Sequence, residues 1–388
     1  MGRSMAATSA ARSEAAPTSF SQLLDSFREK LDRELQAWLS RKREAAGGFR
    51  EAAELIDGVG QLVLQGGKRL RPALVYATYT ACGGPADAQV LPLALATELL
   101  HTYLLIHDDI MDHAEIRRGQ PAAHERFRQA HQARGFHGDA LDFGRSVAIL
   151  LGDLAHSWAV ELVTGVALAG GLEGDWEGGR ARELMRCFAT MSEEVIGGQY
   201  LELLVAQRRG EGGRRDPAER EQELLRVLRL KSGRYTAERP IQLGGLLAGA
   251  PAATLAGLSR YGTAVGEAFQ LQDDLLGMFG DAGTVGKPVG EDLREGKFTF
   301  LIHHALATAT AEQRRTLEAA LGNPRLTTAE VARAQKILEE TGARARVTEM
   351  VAERLREARA AFDSISGLAP EGRLFFEGLL DYLWERES

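Results

Sequence analysis

Cysteine is scarce in this chain of 388 residues, which contains only Cys82 and Cys187, and neither lies at the spacing of a zinc site. We therefore expect neither a disulfide framework nor a structural zinc, which fits a reducing compartment and predicts a cytoplasmic protein. Positive charge is not in excess either, because the formal net charge is -7 at pH 7, and this gives no reason to expect a nucleic-acid partner. Stretches of alternating apolar and polar residues are also missing, so the sequence does not predict a sheet.

Uninterrupted apolar runs of membrane-spanning length are absent as well. His101, His107 and several aspartates break the most apolar stretch, so we expect no transmembrane segment. Residues 1–19 are small, polar and rich in Ala and Ser, without the apolar centre of a secretory signal, and they predict a disordered tail. Nothing in residues 20–388 resembles a linker between independent cores, so we predict one domain there.

Helical periodicity, in contrast, recurs along almost the whole chain and predicts an all-α protein. Asp216 before Pro217 is typical of a helix start, and Thr327 with Glu330 has the spacing of a capping box. We predict helices over approximately residues 20–45, 49–65, 70–82, 88–112, 140–168, 181–206, 217–230, 232–249, 252–280, 297–309, 311–321, 328–341, 343–365 and 370–385.

Two acidic clusters lie within these apolar helices. Asp108 and Asp112 are one helical turn apart and share a face, and Asp273 with Asp274 follows in a later helix. Because an unpaired carboxylate is costly to bury, each cluster needs a compensating cation or a water-filled cleft. A solvated helix end would explain either cluster alone, but the pair together indicates a metal-bridged polyanion. Magnesium uses one or two protein carboxylates together with phosphate oxygens, which suits this arrangement.

Basic residues that could neutralise a phosphate group recur beside the apolar helices. Arginine suits a diphosphate through its bidentate fork, whereas lysine acts as a mobile point charge. The residues concerned are Lys68, Arg69, Arg71, Arg117, Arg118, Lys231, Lys287 and Lys297.

Five motifs in order carry a specific resemblance: GGKRLRP, LLHTYLLIHDDIMDHAEIRRGQP, LKSGRYT, FQLQDDLLGMFGD and GKPVGEDLREGK. Together they make the chain resemble a trans-type isoprenyl diphosphate synthase of the polyprenyl synthetase family, from about Phe20 through the C-terminal helices. A lone aspartate-rich motif would be weak evidence. The resemblance implies a single large helical bundle of the isoprenoid synthase type with a central active-site cleft, and a homodimer.

The resemblance also assigns roles to individual residues. It implies that three magnesium ions bind to Asp108, Asp109, Asp112, Asp273 and Asp274. The pocket for isopentenyl diphosphate would comprise Lys68, Arg71, His101 and Arg118. The allylic substrate would be dimethylallyl, geranyl or farnesyl diphosphate. Its diphosphate would be held by Arg117, Lys231, Ser232, Gln270, Lys287 and Lys297. Of these residues, Lys231, Ser232 and Gln270 are the catalytic candidates.

Other readings of some of these residues stay open at this point. His101 could be a core histidine bonded to a backbone carbonyl, and Lys68 and Arg71 could be the solvated start of a helix. Ser232 stands where the family commonly has threonine, and Gly277 where many members have a third aspartate. Asp281, seven residues after Asp274, returns to a similar helix face.

Product length would depend on residues just before the first aspartate motif, since each residue back moves about 1.5 Å along the helix. Tyr103 and Leu104 lie five and four residues before Asp108. A bulky residue five positions before the motif is a pattern that resembles that of geranylgeranyl diphosphate synthases, so we expect a C20 product. Farnesyl and longer-chain polyprenyl synthases are the alternatives, and Tyr103 could also be an ordinary core aromatic.

Two other function classes use similar helices. A class I terpene cyclase also ionises a prenyl diphosphate at an aspartate-rich motif, but GGKRLRP and the second aspartate pair argue against it. A regulatory subunit of a heteromeric prenyl synthase would be expected to lose the aspartates or the basic pocket, and this chain keeps both.

Overall fold

The prediction of an all-α fold is confirmed by the structure, a computed structural model that describes residues 19–85, 87–172, 178–208, 216–280 and 289–385. The helices are α1 (Phe20–Ala45), α2 (Arg50–Val63), α3 (Leu70–Ala81), α4 (Asp87–Met111), α5 (Ala123–Ala133), α6 (Ala140–Leu172), α7 (Gly178–Gln207), α8 (Pro217–Val227), a π segment (Leu228–Glu238), α9 (Arg239–Ala248), α10 (Ala252–Phe279), α11 (Glu291–Glu295), α12 (Phe300–Thr308), α13 (Ala311–Ala320), α14 (Thr328–Glu340), α15 (Ala343–Asp363) and α16 (Pro370–Glu385).

Helix starts follow the expected side-chain chemistry. Asp216 accepts a hydrogen bond from the amide of Ala218 at 3.0 Å and so caps α8. Thr327 and Glu330 form the predicted capping box of α14. Ser19, the one described residue of the predicted tail, caps α1, while residues 1–18 lie outside the described part of the chain.

The buried apolar side chains form one continuous cluster that runs from Phe20 in α1 to Leu383 in α16. α4 packs against α6, and α10 packs against both α15 and the π segment. These contacts place the ends of α4 and α10, which carry the two acidic clusters, beside the same cleft. A single domain over residues 20–388 fits this core and stays a prediction.

Among the described residues, two helices are long and apolar enough, by length and composition, to cross a membrane: residues 87–111 and 140–169. In α4, 67% of the apolar stretch is buried inside the protein, as in a core helix, whereas in α6 only 39% is buried. The sequence expectation that no segment crosses a membrane therefore stays a prediction.

The structure differs from the predicted helices in three places, one of which is the unpredicted short helix α11 ahead of a helix that begins at Phe300 and not at residue 297. Residues 116–117 and 120–121 form a small antiparallel hairpin, and α5 follows it where no helix was predicted. The predicted break near Lys231 is wrong, because the backbone continues through the π segment from α8 into α9. Wide π turns that interrupt α-helices are frequent at functional sites.

Candidate active site

A cleft of about 1180 Å³ opens between α4, α7, the π segment and α10. Its acidic and basic side chains come from the ends of α4 and α10, from the turn before α3, from the hairpin after α4, from α7 and the π segment, and from α11 with the turn that follows it. Aliphatic and aromatic residues of α4, α7, α8 and the π segment form the apolar wall, and they include Leu104, Val195, Ile196, Leu203, Leu224 and Val227.

The first acidic wall is the C-terminal end of α4. The amide of Asp112 donates to the carbonyl of Asp108 at 2.8 Å, so the two carboxylates keep the predicted one-turn relation just past the end of the helix. Asp108 lies 3.8 Å from Nζ of Lys231, and Asp112 lies 3.1 Å from Nζ of Lys297. Burial raises the pKa of Asp112, although Lys297 opposes the shift.

Asp109 points away from this wall. Its side chain is 2% exposed and accepts a hydrogen bond from Nε of Arg117 at 2.8 Å, with a second bond from Nη2. Burial alone would lower the pKa of Arg117, but the hydrogen bond to Asp109 and the negative charges of Asp109, Asp108 and Glu295 together outweigh it and raise that pKa. The structure thus pairs two residues that were predicted to bind metal and diphosphate, and this pair fixes the hairpin after α4.

The second acidic wall is the C-terminal half of α10. Oγ of Ser232 donates to Oε1 of Gln270 at 2.7 Å, and Nε2 of Gln270 donates to Oδ1 of Asp274 at 2.8 Å. Asp273, on the same turn, lies 3.9 Å from Nζ of Lys68. The relay from Ser232 through Gln270 orients the carboxylate of Asp274 from the π segment.

Lys231 reaches the cleft because glycines let helices approach the π segment closely. A Cβ on Gly198 of α7 would lie 2.6 Å from the backbone nitrogen of Lys231, and a Cβ on Gly266 of α10 would lie 2.3 Å from the carbonyl oxygen of Gly233. Lys231 then forms an ion pair with Glu202 of α7 in addition to its contact with Asp108.

Lys297 joins the two walls from the turn after α11. Its Nζ lies 2.6 Å from Glu295, 3.1 Å from Asp112 and 3.9 Å from Asp292. Burial disfavours the charged form, but Asp292 and the other carboxylates outweigh it and raise the pKa of Lys297 well above its usual range. This ammonium therefore stays charged and holds α11 over the cleft.

His101 and Arg71 form a compact polar cluster with two residues of the π segment. Nη2 of Arg71 donates to Oγ1 of Thr236 at 2.9 Å, and the guanidinium lies 4.5 Å from the ring centroid of Tyr235. Nδ1 of His101 lies 3.2 Å from the hydroxyl of Tyr235, and Nε2 lies 3.4 Å from Nη1 of Arg71. Burial and the positive charge of Arg71 lower the pKa of His101 well below its usual range, so the ring is neutral.

The loop before α3 holds Lys68 at the cleft because the next residue, Arg69, is anchored in the interior. Arg69 has φ of 50° and ψ of 28°, and its guanidinium bonds to Glu98 at 2.5 Å and Asp32 at 3.0 Å. Its inward anchoring turns Lys68 and Arg71 toward the cleft. Arg118 closes over the same loop and donates to the carbonyl of Gly66.

Tyr103 lies where α4 faces α6. Its ring centroid is 4.7 Å from that of His107 and 5.1 Å from that of His156. Tyr103 and Leu104 both line the cleft. Tyr103 is therefore half-buried and supported from α6, rather than sealed within the core.

The chain matches a model of the polyprenyl synthetase family over residues 53–339. This chain belongs to the polyprenyl synthetase family. The short chain isoprenyl diphosphate synthase of Methanocaldococcus jannaschii is 31% identical over 310 residues, covering 80% of this chain and 81% of that protein. The geranylfarnesyl diphosphate synthase of Aeropyrum pernix is 32% identical over 329 residues, covering 84% and 92%.

A solved structure gives the same result. The geranylgeranyl pyrophosphate synthase of Corynebacterium glutamicum, complexed with isoprenyl diphosphate and magnesium, has a TM-score of 0.83 and 31% identity, covering 94% of this chain and 99% of that one. The predicted family and the isoprenoid synthase fold are therefore confirmed, and this polyprenyl synthetase family member is a prenyltransferase.

The site of this family member suits hard divalent cations. The acidic groups on both walls offer carboxylate oxygens, the ligands that magnesium prefers. Within the described ranges no three His, Cys, Asp or Glu side chains form a ready-made metal cage. Burial and the like charge of Asp292 raise the pKa of Asp274 well above its usual range, so an added cation would be favourable there. The residues fit ions shared between the walls and substrate phosphates.

Sequence reasoning missed several residues that the fold brings to this site. Glu202, Tyr235, Thr236, Asp292 and Glu295 all contact predicted residues, as described above. Tyr235, Thr236, Asp292 and Glu295 lie inside quoted motifs, but helical spacing alone does not reveal their partners. Among the predicted residues, Lys287 and Asp281 lie outside the described part of the chain.

Proposed function

We propose that this polyprenyl synthetase family member condenses isopentenyl diphosphate with an allylic diphosphate, lengthening it by five carbons and releasing diphosphate. The observation that carries the proposal is the pair of acidic walls beside one cleft that the Arg71 and His101 cluster also lines. The allylic substrate would be a dimethylallyl, geranyl or farnesyl diphosphate. The magnesium found with the Corynebacterium relative supports magnesium as the cofactor.

Magnesium, when bound, would neutralise charge on the departing diphosphate; Asp108 and Asp112 would hold it on one wall, and Asp273 and Asp274 on the other. We propose three ions per site. Lys231 and Lys297 lie between carboxylates of the site, and their ammonium groups can turn to phosphate oxygens as these arrive. Ser232 and Gln270 fix the orientation of Asp274.

The second substrate would bind at Lys68, Arg71, His101 and Arg118. A neutral His101 accepts a hydrogen bond from Arg71 and so holds this guanidinium in place, without adding a fourth positive charge to those of Lys68, Arg71 and Arg118. Lys68, Arg71 and Arg118 adjoin the loop over residues 66–69, which Arg69 anchors from beneath. The arrangement would place the diphosphate of the second substrate at the rim and its double bond toward the apolar interior.

The apolar wall would exclude water from the carbocation that forms when the allylic diphosphate departs. Ile196, Tyr200 and Leu203 of α7 are exposed large apolar residues, and they face the cleft, where a prenyl tail could cover them. We propose that Tyr103, supported by His156, limits the length of the prenyl tail that the cleft can hold and so gives a C20 product. A farnesyl or longer-chain product is the alternative, since the relatives named above differ in product.

A homodimer in the cytoplasm completes the proposal. α6 exposes Ile149, Leu150, Val160 and Leu168, which stand outside the set of cleft-lining residues. Such an exposed apolar face suits association with a second copy. Light scattering on the purified chain tests it, and a monomer at micromolar concentration would contradict it.

The proposed reaction is tested by omitting one component at a time. Purified protein with magnesium should release diphosphate only when isopentenyl diphosphate and an allylic diphosphate are both present, and chelation should stop release. Cyclic hydrocarbon formed from the allylic substrate alone would favour a terpene cyclase. A failure to elongate any primer would favour a regulatory subunit.

A further inference from the structure

Glu267 of α10 is a buried carboxylate that the proposed reaction does not use. This residue is 3% exposed, and among the described residues it stands outside those that line the cleft. An unpaired carboxylate in such a position would be strongly unfavourable, so its partners show what it holds in place. Glu267 lies about one helical turn before Gln270, which belongs to the relay that orients Asp274.

Two arginines from different elements compensate the charge of Glu267. Nε of Arg229 in the π segment donates to Oε1 at 3.2 Å, and Nε of Arg354 in α15 lies 2.7 Å from Oε2. The side chain of Arg229 is 55% exposed, so it reaches from the surface to a partner inside the protein. The carboxylate of Glu267 therefore links the π segment, α10 and α15 at one point.

The pair of Arg229 and Glu267 extends the contact that the π segment makes with α10 inside the site. Oγ of Ser232 donates to Oε1 of Gln270 at 2.7 Å, and this second pair lies three residues further along both elements. A Cβ on Gly233 would lie 3.0 Å from Cγ of Glu267, so the glycine lets the π segment lie directly on this carboxylate. The two pairs thus fix one and the same register between the π segment and α10.

This register decides where the catalytic side chains of the π segment point. Successive residues of an α-helix point about 100° apart around its axis, so a slip of one residue would turn Ser232 away from Gln270. It would turn Lys231 away from Asp108 in the same way. π geometry is rare in proteins and is not the conformation that local propensity favours. A contact with another element must therefore hold it.

We infer that Glu267 is a positioning residue: through its two arginines it sets the register of the π segment on α10, and it thereby holds Ser232 on Gln270. The inference rests on the proposed function, because the relay from Ser232 serves the same site. Glu267 itself acts through the π segment and not by contact with a substrate.

The experiment measures metal binding without turnover. Thermal unfolding of the full chain is followed while magnesium is titrated in the presence of inorganic pyrophosphate, for the wild type, Glu267→Gln and Glu238→Gln. Loss of a partner behind a metal ligand weakens metal binding by about 10- to 100-fold. We expect the magnesium midpoint of Glu267→Gln to rise by about tenfold or more, together with a lower melting temperature.

Glu238→Gln is the matched control at the other end of the π segment. Glu238 is 9% exposed, and its carboxylate also binds α10, where it accepts a hydrogen bond from Oγ1 of Thr263 at 2.9 Å. Thr263 lies about two helical turns before Gln270. This variant should also lower the melting temperature, but it should leave the magnesium midpoint within about twofold of the wild type, since distant sites act independently.

A second variant tests whether Glu267 acts through Ser232. Ser232→Ala alone should raise the midpoint about tenfold. If Glu267→Gln breaks the same contact, the double variant should stay within about threefold of the worse single variant, whereas two independent losses would multiply to about 100-fold. If Glu267→Gln does not fold, Arg229→Gln severs the contact at an exposed residue and should give the same rise. Arg226→Gln, at an exposed arginine of α8, is then the control.

The outcomes separate this inference from the proposed function. Equal midpoints for Glu267→Gln and Glu238→Gln would overturn the inference, and a multiplied loss in the double variant would overturn the route through Ser232. Elongation by the wild type together with an unshifted Glu267→Gln refutes the inference alone. A shifted midpoint for Glu267→Gln, beside a wild type that elongates nothing, refutes the proposed function alone.

Discussion

Replacing Tyr235 by phenylalanine removes one hydroxyl from the Arg71 and His101 cluster and leaves the rings in place. Arg71 can only donate, so Nε2 of His101 accepts its hydrogen bond, and Nδ1 carries the proton that is donated to Tyr235. Without the hydroxyl, this N–H has no acceptor in a site where Tyr235 is only 3% exposed. The ring of His101 is then free to turn away from the second substrate.

The size of the effect follows from the cost of an unsatisfied buried donor. That cost is about 1–3 kcal/mol, which corresponds to a factor of about 5 to 150 in an equilibrium constant. If the Arg71 and His101 cluster binds isopentenyl diphosphate, the cost appears in the affinity for that substrate. We therefore expect the KM for isopentenyl diphosphate to rise about 5- to 150-fold in Tyr235→Phe.

The assay is steady-state kinetics with each substrate varied in turn. Tyr261→Phe is the matched control, because Tyr261 is also fully buried and its hydroxyl makes a hydrogen bond, to the carbonyl of Phe376 at 2.8 Å, away from the cleft. The control should lower the melting temperature and leave both KM values within about twofold, since removing one neutral hydrogen bond costs about 1 kcal/mol of stability.

The reasoning would be refuted if Tyr235→Phe left the KM for isopentenyl diphosphate unchanged. It would also be refuted if the KM values of both substrates rose equally, because the cluster would then act on the whole cleft and not on one substrate.

Three further predictions concern other parts of the cleft. Tyr103→Ala should lengthen the product, because it opens the path that the ring closes against His156. Gly198→Ala should cost about 1–3 kcal/mol of stability and most of the activity, because its Cβ would lie 2.6 Å from the backbone nitrogen of Lys231. Below about pH 6.5, the melting temperature of His101→Gln should fall less than that of the wild type. The pKa of His101 is depressed in the folded protein, so on acidification the unfolded chain binds a proton at this residue before the folded chain does.

Each of these predictions has its own control. Tyr103→Phe keeps the ring and should keep the product length, and an unchanged product from Tyr103→Ala would contradict the role of Tyr103. Gly197→Ala introduces a Cβ with nothing within 4 Å, so equal losses from both glycine variants would contradict the close approach. His101 contributes full stability above its ordinary pKa and loses it as the pH falls, so identical melting curves of wild type and His101→Gln from pH 7.5 to 5 would contradict the lowered pKa.

The elements that sequence reasoning predicted well have strong local signals. Asp216 with Pro217, and Thr327 with Glu330, start helices through bonds between near neighbours, and such bonds are visible in the sequence. The acidic residues at the ends of α4 and α10 were also found, because a carboxylate after apolar turns is costly unless something compensates it.

The remaining features depend on contacts between distant residues. The buried residues of α5 include His124 and His131, so its sequence has no continuous apolar stripe and this helix was not predicted. The π segment lies where glycines of α7 and α10 allow its backbone to pack closely against theirs. Local helix propensity does not predict such contacts between distant parts of the chain. Asp292 was overlooked because it reaches the cleft only when α11 docks on α10, where the amide of Gly290 donates to the carbonyl of Gly277.

The most direct test of the central claim is the mass of the product made by the wild-type chain. The purified protein is incubated with magnesium, isopentenyl diphosphate and, in separate reactions, dimethylallyl, geranyl or farnesyl diphosphate, and the products are dephosphorylated and separated by chromatography with mass detection. Each primer should yield geranylgeraniol, C20, as the main alcohol. Recovery of only the starting primers, or of cyclic hydrocarbons without incorporated isopentenyl units, would contradict condensation at this cleft.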